Sequence, residues 1–217
     1  KLNVLNKIMW CLQKSDLTPL HNLYLLAKVL LSPFFLLLMR PRVRGLRHLW
    51  RRGGAIVVSN HWALSDPILI ALISPRVVHF MAKQELFQNP AARFVLMRGL
   101  YAFPVNRKHA DMASLKQAMA VLQKGKVFGI FPEGRRSVTG ELDELERGAA
   151  FLALRCNVPI LPVYSDPRTY RKLRVNMIVG EPMDAAAIAA AHKGRSVDVV
   201  TQAIADKLQQ LRLQLEA

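Results

Sequence analysis

The stretch Ala55-Ile56-Val57-Val58-Ser59-Asn60, which runs straight into the polar loop His61-Trp62-Ala63-Leu64-Ser65-Asp66-Pro67, decides how this chain folds. An unbroken run of small and β-branched apolar residues describes a strand buried on both faces. Runs of the same kind recur at VVHFMA (77–82), YAFPVN (101–106), KVFGIFP (126–132), PILPVYS (159–165) and LRVNMIVG (173–180). Helical segments fill the gaps between them. Over 111–124, Met112, Leu115, Met119 and Leu122 fall on one helical face, and Gly125 stands where a helix stops. ERGAAFLALRC (146–156) is a second helix. A third starts at Ser196, a natural N-cap, and carries Val200, Ile204, Leu208, Leu211 and Leu215 along one face. Strands alternating with helices predict an α/β fold: a mixed, mostly parallel sheet flanked by helices, with its chemistry in loops beyond the strand ends.

Outward from this centre, the composition sets limits. The chain has 217 residues, 52% of them hydrophobic, yet 31 Lys and Arg stand against 15 Asp and Glu for a net charge of +16. That apolar content excludes global disorder, and the length fits one domain with an appendage. The charge calls for an anionic partner: nucleic acid, an anionic membrane surface or a phosphorylated substrate. Residues 1–60 hold ten Lys and Arg against Asp16 alone, +9 of the total, around the most apolar stretch of the chain, Leu23–Met39. This stretch is short for a spanning helix and is interrupted by Lys28, Ser32 and Pro33. It is expected to form a re-entrant or interfacial helical pair, with PRVRGLRHLWRR (41–52) as a basic collar and Trp50 at the interface. An ordinary buried helix followed by solvated arginines is the alternative. The expected division is therefore 1–41, N-terminal membrane-associating helices, and 42–217, the α/β domain. Cys11 and Cys156 are too few and too far apart for a disulfide framework or metal cluster.

Three loops carry polar residues. In the first, His61 and Asp66 are five residues apart, close enough for the carboxylate to orient the imidazole and to stabilise the imidazolium that a general base becomes. Taken alone, the pair reads equally as a structural histidine and a helix cap ahead of Pro67. The second loop, Phe131-Pro132-Glu133-Gly134-Arg135-Arg136-Ser137, combines a glycine suited to a tight turn with two arginines able to face an anion. The third, Gly99 to Arg107, ends a strand with Arg107 and Lys108.

Taken together, Asn60-His61-x4-Asp66, Gly99…Phe103-Pro104-Val105-Asn106-Arg107, Phe131-Pro132-Glu133-Gly134-x-Arg136-Ser137 and Val158-Pro159-Ile160-Leu161-Pro162-Val163 resemble the four ordered blocks of the glycerolipid acyltransferases, in particular the bacterial PlsC-type 1-acyl-glycerol-3-phosphate acyltransferases. Lys83-x-Glu85-Leu86-Phe87 and Arg147-Gly148-Ala149 also resemble that family, and the likeness covers roughly residues 42–183. Arg135 stands where the family usually has Thr, and Asn106 where Asp is frequent.

The resemblance implies that His61 is the general base and Asp66 its orienting partner. It places Glu133, Gly134 and Arg136 in the block that binds the acceptor and its phosphate, and Arg107 at another phosphate-contacting position. It further implies transfer of a fatty acyl group from acyl-CoA or acyl-carrier protein to a lysophospholipid acceptor, with 1-acyl-glycerol 3-phosphate giving phosphatidic acid. Glycerol 3-phosphate or another lysolipid is the alternative acceptor. No cofactor or metal is expected, and the expected location is the cytoplasmic face of the cell membrane. A basic nucleic-acid-binding protein and a non-catalytic membrane-surface protein are the rivals from other classes. The sequence has no zinc-finger, RNP or basic-zipper pattern, so nucleic acid is not the expected partner.

Overall fold

The computed structural model describes residues 28–30, 32–34, 36–105, 112–172, 174–192 and 196–216. Its centre is a seven-stranded sheet: β1 (Arg42–Arg44), β2 (Ala55–Ser59), β3 (Val78–Lys83), β4 (Phe103–Val105), β5 (Val127–Ile130), β6 (Ile160–Ser165) and β7 (Asn176–Val179). In space the order is β1-β7-β6-β2-β5-β3-β4. All neighbouring pairs are parallel except β6 and β7, where Val163 faces Val179 and Ser165 faces Met177. The link from β6 to β7 is one short 3-10 turn, Pro167–Lys172. A return that short cannot make a parallel crossover, so the chain reverses.

Strand β2 lies in the middle of the sheet, between β5 and β6, and its residues divide between two cores. Ala55 and Val57 join Val78, Phe80, Val127, Leu161, Val163 and Met177 on one face. That face is covered by α1 (Asp66–Ile73) through Leu69 and Ile70. Ile56 and Val58 face the other way with Phe128 and Ile160. There they pack on α3 (Met112–Gln123), α4 (Gly148–Cys156) and α6 (Ser196–Glu216), after the short α2 (Pro90–Phe94) and before which α5 (Ala185–Ala190) adds Ala185. Burial on both faces explains the uninterrupted apolar run of β2. The stripe of α6 is as expected, with Val200, Ile204, Leu208 and Leu211 all buried, whereas in α3 Met112 at the first turn is exposed and Ser114 and Ala118 are buried with Leu122. Leu208 has no exposed surface, so Leu208→Ala should cost about 2–5 kcal/mol of stability, read as a lower urea midpoint with an unchanged slope.

The structure departs from expectation at several points. Arg42–Arg44, inside the expected basic collar, is an edge strand with Val43 turned inward between exposed arginines, and Leu49 just after it is buried. Trp50 is half-buried. Helix α1 has no amphipathic stripe, because DPILIALI is apolar on nearly every side and buried among other elements. Asn89 and Asp184 cap α2 and α5, each side chain accepting two main-chain N–H bonds. The strand expected from residue 101 begins at Phe103, after Tyr101 adopts φ +45°.

In the N-terminal region, 28–30, 32–34 and 36–39 are helical, Pro33 included. Val29, Leu30, Phe34 and Leu37 are each more than 60% exposed, which is unlike a buried helix. Residues 23–27 of the expected apolar segment, Cys11, Asn106 and Arg107 lie outside the described residues. Among the described residues, no helix is long and apolar enough to cross a membrane.

Candidate active site

The three central strands β6, β2 and β5 run parallel and release their loops at one end of the sheet. His61 stands two residues beyond β2, and the Glu133-Gly134-Arg135-Arg136 loop follows β5. Asn60 locks this end: its Nδ2 donates to the Ser165 carbonyl at 2.9 Å, and its Oδ1 accepts from Ser165 N at 2.8 Å. Asn60 is buried, so these two bonds satisfy its amide while fixing β2 to β6.

His61 Nδ1 donates to Asp66 Oδ2 at 2.9 Å. Asp66 is fully buried at the first turn of α1, whose positive end favours a carboxylate. The same Oδ2 accepts from Trp62 N at 2.7 Å and Ala63 N at 2.8 Å, so the carboxylate closes the loop back onto itself. The other oxygen, Oδ1, accepts from the Tyr170 hydroxyl. The imidazole stacks on Phe131, with ring centroids 4.2 Å apart and 22° between planes. Its side chain keeps 13% exposure, and Nε2 makes no hydrogen bond among the described residues. One ring nitrogen is held by a buried carboxylate and the other is available to a ligand, an arrangement suited to proton transfer.

Glu133 supports His61 from below. Its Oε1 accepts from His61 N at 2.8 Å and its Oε2 from Asp143 N at 3.3 Å. Burial pushes this carboxyl above its usual range, and the two main-chain bonds oppose the shift. In return, Ser137 N donates to the His61 carbonyl at 2.8 Å, so the two loops are joined twice. Gly134 sits at φ +65° with its amide on the Phe131 carbonyl, and a Cβ there would lie 2.4 Å from Glu146 Oε1. Glycine is therefore favoured by conformation, while the Glu146 carboxylate, the far end of an exposed side chain, can turn aside. Of the adjacent arginines, Arg135 pairs with Asp143 at 3.2 Å. Arg136 is exposed and has no acidic partner among the described residues.

The structure thus brings His61, Asp66, Glu133, Gly134 and Arg136 to one end of the sheet, while Arg107 lies outside the described residues. Tyr170 is an addition that no local pattern announces. It stands 104 residues from Asp66, in a stretch that otherwise reads as solvated charge.

A histidine held by a buried carboxylate at the ends of parallel strands, with an exposed arginine on the adjoining loop, suits general-base chemistry such as acyl transfer or hydrolysis. The model of the family described as Acyltransferase matches residues 40–166, and the chain belongs to that family. It is 31% identical over 169 residues to the 1-acyl-sn-glycerol-3-phosphate acyltransferase of Bacillus subtilis, across 75% of this chain and 83% of the relative. A human relative, 1-acyl-sn-glycerol-3-phosphate acyltransferase beta, is 33% identical over 131 residues, 58% of this chain and 46% of that longer protein. In fold, the chain resembles the crystal structure of the 1-acyl-sn-glycerophosphate (LPA) acyltransferase from Thermotoga maritima, with a TM-score of 0.63 over 94% of this chain and 88% of the other at 21% identity.

Proposed function

We propose that this chain transfers a fatty acyl group from an acyl thioester, acyl-CoA or acyl-carrier protein, to the free hydroxyl of 1-acyl-glycerol 3-phosphate, forming phosphatidic acid. The observation that carries this reading is the His61–Asp66 hydrogen bond of 2.9 Å at the end of β2, in a chain of the Acyltransferase family that shares 31% identity with a lysophosphatidate acyltransferase.

The acceptor is an alcohol, a poor nucleophile at neutral pH. His61 Nε2 takes its proton as the oxygen attacks the thioester carbonyl carbon, and Asp66 stabilises the imidazolium that forms. The tetrahedral intermediate collapses, the C–S bond breaks, and the imidazolium returns the proton to the departing thiolate. Products are the new ester and a free thiol, and His61 is restored. A direct transfer suits the side chains nearby. Ser59 is buried with its hydroxyl donating to the Asn60 carbonyl. Cys156 ends α4 just before β6 begins, at the opposite end of the sheet from His61, and is not placed to act as a nucleophile there.

Arg136 holds the acceptor phosphate, with Arg107 as its second contact. Glu133 and Gly134 shape the floor of this acceptor site, Glu133 by holding the His61 backbone. Arg136→Ala should lower kcat/KM for lysophosphatidate about 10- to 100-fold, the loss of a charge-assisted hydrogen bond. Transfer to a neutral monoacylglycerol should change little, and an equal loss with both acceptors would remove the phosphate role.

Residues 1–41 seat the enzyme on the cytoplasmic face of the cell membrane, and 42–217 form the catalytic domain. Supporting this are the exposed Val29, Leu30, Phe34 and Leu37 next to exposed Arg40, Arg42 and Arg44, a combination that fits an anionic lipid surface. The test of the whole reading is turnover of labelled lysophosphatidate by purified protein, within a panel that includes glycerol 3-phosphate and other lysolipids. Exclusive use of another acceptor would replace the proposed substrate, and transfer to none would overturn the activity.

A further inference from the structure

We propose that Tyr170 is a positioning residue of the dyad, fixing Asp66 through Oδ1 so that Oδ2 stays aimed at His61. This rests on the acyl-transfer role given to that pair. All three donors besides Tyr170, namely His61 Nδ1, Trp62 N and Ala63 N, converge on Oδ2. Oδ1 is served by the Tyr170 hydroxyl from across the sheet end. Asp66 is fully buried, so without that hydroxyl its Oδ1 faces the interior with no donor among the described residues. The carboxylate can then turn about its Cβ–Cγ bond and share its oxygens differently among the remaining donors.

Tyr170 is itself fixed before any substrate arrives. It lies in the Pro167–Lys172 turn, where Thr169 Oγ1 donates to the Asp166 carbonyl at 2.8 Å and accepts from Asn176 N at 3.0 Å. Asp166 Oδ1 caps the same turn by accepting from Arg168 N at 3.0 Å, and Asp166 N donates to the Asn176 carbonyl at 3.0 Å. The aromatic ring packs against the apolar cluster shared by α1 and the sheet. Burial, then the charge of Asp66 and the bond to it, hold the phenol well above its ordinary titration range. It therefore remains a donor throughout the working pH range. The β6–β7 turn thus contributes to a site whose other parts come from the ends of β2 and β5, and the Asn60 clamp onto Ser165 sets the spacing between them.

Tyr170→Phe keeps the ring in the core and removes only the hydroxyl. Turnover of lysophosphatidate should fall about ten-fold in kcat, a fraction of the 10²–10⁴-fold a general base supplies, while KM for acceptor and donor stays within about two-fold. Placing 3-fluorotyrosine at position 170, which keeps ring and donor, should restore kcat. A readout independent of substrate is the His61 Nδ1–H proton, followed by NMR in histidine-labelled protein: its exchange with water should be about ten-fold faster in Tyr170→Phe. A kcat within two-fold of wild type overturns the proposal. If the wild-type chain itself transfers no acyl group, that failure belongs to the proposed function, and an unchanged exchange rate overturns the positioning role on its own.

Discussion

His61→Ala is expected to reduce kcat for acyl transfer to lysophosphatidate by about 10²–10⁴-fold, the whole contribution of a positioned general base, while the protein remains folded. The reason lies in which atoms of His61 hold the site together. Its backbone N–H donates to Glu133 and its carbonyl accepts from Ser137 N, and both bonds survive truncation of the side chain. What is lost is the imidazole itself: its stacking on Phe131 at 4.2 Å and its bond to Asp66. The removed ring is 13% exposed, so solvent can enter the space. The stability cost should stay near the ~1 kcal/mol common for single substitutions. Steady-state kinetics with urea unfolding of the same preparation separates the two effects. Turnover within ten-fold of wild type would show that another group takes the proton.

Much of this architecture was legible in the residues, for identifiable reasons. Buried parallel strands such as AIVVS and ILPVYS need no alternation, and their β-branched runs stand out against helical periods. The dyad was legible because His61 and Asp66 are sequence neighbours joined by one loop. The structure resolves its ambiguity with a cap: Asp66 is the first residue of α1, no side chain caps that helix, and the carboxylate accepts instead from Trp62 and Ala63 in the preceding loop while orienting His61 with the same oxygen. Strand β1 was concealed because Arg42 and Arg44 point to solvent at a sheet edge, where only Val43 records the pairing with Met177. The partners of Glu133 are main-chain N–H groups, which every residue has and no pattern reveals. Tyr170 was hidden by distance along the chain, since its partnership with Asp66 exists only after β6 has been laid beside β2.

Asp66→Asn separates charge from geometry at this site. The amide has the shape of the carboxylate it replaces, and its orientation is dictated by neighbours. Trp62 N and Ala63 N, at 2.7 and 2.8 Å, both require an acceptor at the Oδ2 position. The amide oxygen must therefore sit there and the NH2 must face Tyr170, whose hydroxyl can turn from donor to acceptor. In this orientation the oxygen still accepts from His61 Nδ1, and the tautomer with Nε2 free is kept. The protein loses only the negative charge that stabilises the imidazolium during transfer. The expected result is a kcat lowered about 10²–10³-fold, with KM for both substrates little changed and an unfolding midpoint close to wild type. Asp66→Ala gives the contrast. It leaves two half-buried main-chain N–H groups and the Tyr170 hydroxyl without their acceptor, each orphaned group costing up to about 1–3 kcal/mol where water cannot replace the carboxylate, so activity and stability fall together. If Asp66→Asn instead keeps kcat within ten-fold of wild type, the carboxylate's charge is not part of the chemistry and His61 needs only to be held in place.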